Sequence, residues 1–170
     1  MTSTPATRGW GFALYRQERG AGRRIRQHHR TREAAMSELV ELHAALVRLP
    51  SVNPCGREPA GPHESESRMS RFVHDWLSGH GIDCRLQEVL PGRDNVIARV
   101  EGREEPPIVF EAHLDTVAAE GMTVPPFEAL IEDGRLYGRG ACDVKGGLAA
   151  MMMALARVAQ GAPPPRTVVL

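Results

Sequence analysis

Two short segments concentrate the side chains able to do chemistry: His113-Leu114-Asp115, and the run Gly138-Arg139-Gly140-Ala141-Cys142-Asp143-Val144-Lys145-Gly146-Gly147. In the first, one residue separates the histidine from the aspartate, so in extended backbone both project from the same face. An imidazole ligates a divalent metal well when its other ring nitrogen donates to a carboxylate, and Asp115 is close enough in sequence to be that partner. By itself such a pair is more often merely polar or structural. In the second segment, four glycines within ten residues surround one carboxylate just ahead of a helical pattern. Asp143 there could simply cap the helix N-terminus. The glycine density asks for more, because glycine permits close backbone approach and unusual dihedrals at an entropic cost. A carboxylate spanning two metal ions with its two oxygens, and neutralising part of their charge, is the more demanding reading.

The elements that must position these residues follow from periodicity. Met36, Leu39, Leu42, Leu46 and Leu49 recur at helical spacing until Pro50-Ser51-Val52-Asn53-Pro54 stops the run. Met69, Phe72, Val73, Trp76 and Leu77 form the apolar face of a second helix, with Gly79 and Gly81 as candidate C-terminal caps. Ile82, Cys84 and Leu86 alternate with polar residues as in a half-buried strand, and Pro91 to Asn95 turns into a second, Val96 to Val100, an antiparallel edge. Ile108-Val109-Phe110 is a continuous apolar run of the kind expected for a strand buried on both faces, and it leads into His113. Leu130-Ile131 and Leu136-Tyr137 flank the turn Asp133-Gly134, a small hairpin beside the candidate site. Val144 to Gln160 reads as a helix, and Arg166 to Leu170 as the start of another buried strand. Strand, helix and strand in alternation suggest an α/β sheet layered with helices, in which ligands gather beyond the carboxyl ends of the strands, where both segments lie.

Taken together, Glu111-Ala112-His113-Leu114-Asp115-Thr116-Val117, Pro126-Phe127, and Asp133 through Gly140 followed by Asp143, Lys145, Gly146 and Gly147 resemble the signature of a zinc-dependent metallopeptidase family. That family includes acetylornithine deacetylase, succinyl-diaminopimelate desuccinylase, aminoacylase and glutamate carboxypeptidase, and the resemblance runs from about Met36 to Leu170. It implies a three-layer α/β sandwich with a mixed, mainly parallel sheet, incomplete at its C-terminus. It also implies two divalent metal ions, Zn2+ or alternatively Co2+ or Mn2+. On this resemblance His113 is a metal ligand, Asp143 the metal-bridging ligand, and Asp115 the catalytic-site residue that orients His113. The peptide after Asp143 is expected in cis. The implied reaction is hydrolysis of amide bonds in N-acyl amino acids or small peptides by a metal-bound water that a glutamate deprotonates. The family places that glutamate, beside a glutamate ligand, after a strand like the one ending at Leu170. A further acidic ligand, a distal histidine and a dimerising lid domain would also lie downstream. The chain is therefore expected to be the N-terminal part of such a hydrolase, inactive in isolation, with homodimers expected only of the full-length parent. Cys142 is expected to be a small packed residue, and Arg139 and Lys145 to shape the glycine loop or the domain surface, without a catalytic role. His28, His29, His43, His63, His74 and His80 are expected on the surface or within helices.

Composition limits the alternatives. With 170 residues, 42% of them apolar and 25% charged, the chain can bury one ordinary core. Residues 1–35 hold eight arginines against two glutamates, which leaves the remainder net acidic by six. This stretch has no apolar period and reads as a disordered basic extension, leaving 36–170 as the folded portion. A nucleic-acid-binding arm or a transit peptide is the sharper reading of the extension, and a solvated tail the plainer and preferred one. A truncated, non-catalytic binding or regulatory module is the alternative for the whole. Three cysteines without C-x-x-C spacing argue against a disulfide framework or a zinc knuckle, and no run is long and apolar enough to span a bilayer. A cytoplasmic protein with no membrane partner is the resulting expectation.

Overall fold

A computed structural model of the chain describes residues 21–170 apart from 57, 60 and 62. The first twenty residues of the basic segment thus lie outside the described residues. Helix α1 spans Ala21–Arg48, so it begins well before the apolar periodicity does. Met36–Leu170 forms one compact unit, which holds both candidate segments.

Helix α2, Ser67–Gly79, buries Met69, Val73 and Leu77, with Phe72 and Trp76 partly buried against the same core, as the spacing predicts. Its end is set by glycine. Gly81 takes φ +75° just past the C-cap His80, and its N–H and that of Ile82 donate to the carbonyls of Ser78 and Leu77 at 2.9 and 3.3 Å. This paired arrangement satisfies carbonyls that the helix leaves unpaired.

The chain then turns into β1, Asp83–Leu90, and back through Pro91-Gly92 into β2, Arg93–Val100, in antiparallel register from Asp83↔Arg99 to Leu90↔Arg93. Strand β3 is Glu104–Val109. The two-stranded hairpin of β4, Leu130–Glu132, and β5, Arg135–Tyr137, turns at Asp133 and Gly134, both with positive φ. Helix α3, Gly146–Ala159, leads to β6, Arg166–Val169. The main sheet has the order β1-β2-β6-β3.

Leu42 and Leu46 from α1, the buried face of α2, Leu148, Met152 and Leu155 from α3, and Ala98 from β2 form one core. Each large side chain fully removed from water contributes about 1.5–3 kcal/mol. Val96 and Val100 flank Ala98 on the same side of β2, the two-residue period of a strand with one face inward.

The sheet corrects two expectations. β6 is antiparallel to β2 and parallel only to β3, so the described sheet is mixed but mostly antiparallel rather than mainly parallel. The run Ile108-Val109-Phe110 is not buried: these residues are 44%, 64% and 48% exposed. The reason is position, because β3 forms the sheet edge and has only β6 as a neighbour. A continuous apolar run reports what a strand is suited to pack against, and here that packing surface is bare among the described residues. Met36, 61% exposed, likewise lies off the buried face of its helix.

Candidate metal centre

Strand β3 ends at Val109, four residues before His113, and Phe110 extends the pairing by one bond, its N–H donating to the Val169 carbonyl at 2.9 Å. His113 and Asp115 therefore meet through a loop rather than along a pleat. The loop brings the Asp115 carbonyl to 2.9 Å from His113 Nδ1 and carboxylate Oδ1 to 3.2 Å. Its path is fixed from the other side by the turn after α1. Thr116 N–H donates to the Ser51 carbonyl and Asn53 N–H to the Thr116 carbonyl, both at 2.9 Å, pairing Val52 with Thr116 in parallel.

The glycine-rich segment leads directly into α3. Between Ala141 and Lys145 the backbone makes one wide turn, with the Lys145 N–H donating to the Gly140 carbonyl at 3.0 Å. Such an i to i−5 turn is characteristic of functional sites. Inside it Asp143 has φ −120° and ψ 95°, well away from helical values, and the Asp143–Val144 peptide is cis, as the resemblance implied. Asp143 does not cap α3, whose N-cap is Lys145. Its carboxylate instead stands 3.0 Å from His113 Nε2, with the side chain 88% exposed. Gly140 is required here twice over: its φ is +76°, and a Cβ would lie 2.7 Å from Thr116 Cγ2.

Two side chains that the sequence left in the background hold this turn from beneath. His43 on α1 donates from Nε2 to the Ala141 carbonyl at 2.8 Å, and burial holds its pKa below the usual imidazole value. Lys145, the only lysine in the chain, is 2% exposed and donates from Nζ to the Leu49 carbonyl at 2.7 Å. Burial lowers its pKa to about 8. Lys145, expected to shape the glycine loop or the domain surface, is buried, and this contact ties the turn to the end of α1. Cys142, expected to be packed, is exposed, because the wide turn directs it outward with Asp143. No periodicity signals His43 or Asn53: their partners lie 98 and 62 residues away.

The electrostatics of the imidazole are distinctive. Both ring nitrogens face acceptors, Nδ1 the carbonyl and carboxylate of Asp115 and Nε2 the carboxylate of Asp143. A neutral imidazole carries one proton and can satisfy only one side. Accordingly the His113 pKa is raised, mainly by the hydrogen bond to Asp143 and further by Asp115. With Nδ1–H directed to the anchored Asp115, the Nε2 lone pair and an Asp143 oxygen converge on one point, and a cation between them resolves the conflict. The donor types and their convergence fit a divalent metal. No group of three or more His, Cys, Asp or Glu side chains is placed to hold a metal ion among the described residues. Beside them an open cleft of about 750 Å³ runs from the β1–β2 turn to His113 and Asp115, bordered by Val109, Phe110 and the Arg93–Glu66 ion pair.

The α/β sheet thus carries a histidine–aspartate pair past one strand, opposed by a carboxylate in a glycine-rich turn. Residues 109–170 match the model of peptidase family M20/M25/M40. Among its relatives, the succinyl-diaminopimelate desuccinylase of Gluconacetobacter diazotrophicus is 40% identical over 128 residues, covering 73% of this chain and 31% of that protein. The fold is shared with an M20 family metallo-carboxypeptidase from Sulfolobus solfataricus, at a TM-score of 0.66 and 21% identity over 78% of this chain and 30% of that one. A Bacillus subtilis protein described as a dinuclear metal binding peptidase of the M20 family aligns with a TM-score of 0.53 and 22% identity over 81% of this chain and 35% of that one. The chain spans about a quarter to a third of the length of the curated relatives it matches. No described helix is long and apolar enough to cross a membrane.

Proposed function

We propose that this chain supplies the N-terminal part of the catalytic domain of a metal-dependent amide hydrolase acting on N-acyl amino acids or small peptides. The observation that carries the reading is the convergence of His113 Nε2 and Asp143 Oδ1 at 3.0 Å, with Nδ1 anchored on Asp115. His113 and Asp143 would hold the metal, Zn2+ in the first instance with Co2+ or Mn2+ as alternatives, and Asp143 would bridge a pair of ions. When bound, such ions polarise a scissile carbonyl and make a water acidic enough to be deprotonated near neutral pH.

The chain's own residues have distinct parts in this. Asp115 keeps the imidazole proton on Nδ1 and so leaves Nε2 free to ligate. Asp143 is placed by the wide turn, with its oxygens open to solvent, and Gly140 lets that turn lie against Thr116. The proton-accepting glutamate and the remaining ligands would come from sequence that this chain does not include, as would the strands that cover β3 and complete a three-layer sandwich. The bare edge of β3 and the limited coverage of the relatives support that division. The desuccinylase relatives make N-succinyl amino acids the first substrate class to assay.

The test compares purified 1–170 with a chimaera in which residues 36–170 replace the corresponding segment of the Gluconacetobacter enzyme, both supplied with Zn2+ or Co2+ and N-succinyl or N-acetyl amino acids. The chimaera should turn over substrate and lose activity on Asp143→Ala, while 1–170 should show none. Turnover by 1–170 that Asp143→Ala abolishes would refute the partial-site reading. A folded chimaera unaffected by His113→Ala and Asp143→Ala would refute the assignment of the ligands.

A further inference from the structure

The short backbone pairing between the turn after α1 and the segment after His113 sets Asn53 beside Asp115. The carboxamide Nδ2 donates to Asp115 Oδ2 at 2.7 Å. Its other end is also committed, since Asn53 Oδ1 accepts the Cys55 N–H at 2.8 Å. This second bond fixes which way round the carboxamide stands. Reversing it would set oxygen against a carboxylate and an NH2 group against a backbone N–H, two repulsive contacts in place of two hydrogen bonds. Asp115 is thereby anchored at Oδ2 by Asn53, with Oδ1 3.2 Å from His113 Nδ1 and its backbone carbonyl, the nearer acceptor, at 2.9 Å.

We propose that Asn53 is a positioning residue: its carboxamide locks the Asp115 carboxylate and so keeps His113 in the form protonated on Nδ1, with the Nε2 lone pair free toward Asp143. The functional weight of this role rests on the reading of His113 as a metal ligand. Its physical basis is a competition for one proton. The imidazole could instead place that proton on Nε2 and donate to Asp143 at 3.0 Å. Asp143 is 88% exposed and free to turn into solvent, whereas Asp115 is only 33% exposed and is anchored by Asn53. The anchored carboxylate is the stronger claimant because its orientation costs no further ordering. The backbone carbonyl of Asp115 stays at 2.9 Å whatever stands at position 53, so removing the anchor takes only the fixed carboxylate charge from the Nδ1 side and makes the two sides more nearly equal. In the sequence Asn53 belongs only to a helix stop, and the Val52–Thr116 pairing is what makes it a partner of Asp115.

Asn53→Asp separates this role from a structural one. It keeps an oxygen to accept the Cys55 N–H, so the turn survives, but it replaces the donor to Asp115 with a second carboxylate oxygen. Asn53→Ser is the companion variant, too short to reach Asp115. The readout is the long-range 1H–15N correlation of His113 in the full 15N-labelled chain without metal, assigned with His113→Gln and recorded where the imidazole is neutral. The wild type should show the Nδ1–H form, with its Asn53 side-chain amide protons protected from exchange. Both variants should move His113 toward the Nε2–H form and weaken Zn2+ binding by the chain about tenfold, while the circular dichroism stays unchanged. An unaltered His113 form in the folded variants would overturn the proposal. If neither variant folds, the wild-type amide decides: exchange of the Asn53 carboxamide at the rate of a free amide would overturn it equally. Zn2+ added to the wild type tests the metal reading separately, since His113 resonances that do not move would refute that reading and leave the proton placement to decide the role of Asn53.

Discussion

Replacing Lys145 by methionine should leave stability nearly unchanged at neutral pH yet make it markedly lower than wild type in alkali. The side chain is 2% exposed, it is the only lysine in the chain, and burial takes its pKa from the ordinary 10.5 to about 8. Keeping the ammonium buried below that value costs the folded state about 3 kcal/mol. The sign follows from proton counting. Between about pH 8 and 10.5 the unfolded chain still holds a proton that the folded chain has lost, so stability rises through this window and the gain is lost as pH falls back to about 8. Methionine fills much the same space without a charge, which removes the penalty. It also leaves the Leu49 carbonyl without the bond it accepts at 2.7 Å, a loss of about 1–3 kcal/mol. Near pH 7 the two effects offset each other to within about 2 kcal/mol. Above the window only the lost bond remains, and the variant should be less stable by about 1–3 kcal/mol. Urea unfolding of both proteins across this range measures the difference. Selective isotope labelling of lysine gives a single resonance whose midpoint reports Lys145 directly. A stability difference that stays flat with pH, or a resonance titrating at the ordinary 10.5, would refute the reasoning.

Two further outcomes follow from the same region. Gly140→Ala should destabilise the chain by about 2–4 kcal/mol in urea or thermal unfolding, because a side chain at φ +76° is strained and its Cβ would lie 2.7 Å from Thr116 Cγ2; a change below about 0.5 kcal/mol would contradict the close approach. In metal-free chain the His113 imidazole should titrate above its usual 6.5, and Asp143→Asn should bring it back down because Asp143 is the largest cause of the rise. Histidine NMR titration checks this, and a His113 midpoint that Asp143→Asn leaves in place would show that the apposition does not exist in solution.

Much of this protein was decided locally and could be read locally. The α2 stripe is legible because helical spacing alone puts Met69, Val73 and Leu77 on one face, and the Asp133-Gly134 turn because few residues tolerate positive φ. His113, Asp115 and Asp143 stood out as residue types in suggestive settings, and the glycines around Asp143 announced an unusual backbone. Tertiary structure decided the rest. Hydrophobic pattern fixes which faces seek burial but not what is available to cover them, so the apolar run Ile108-Val109-Phe110 turned out to be an exposed edge, and a sheet expected to be mainly parallel turned out to be mostly antiparallel. The His113–Asp143 apposition, the His43 and Lys145 props and the Asn53 anchor join positions 30 to 98 residues apart. Residue type states what each group can donate or accept, and only the folded chain determines which acceptor stands in front of it.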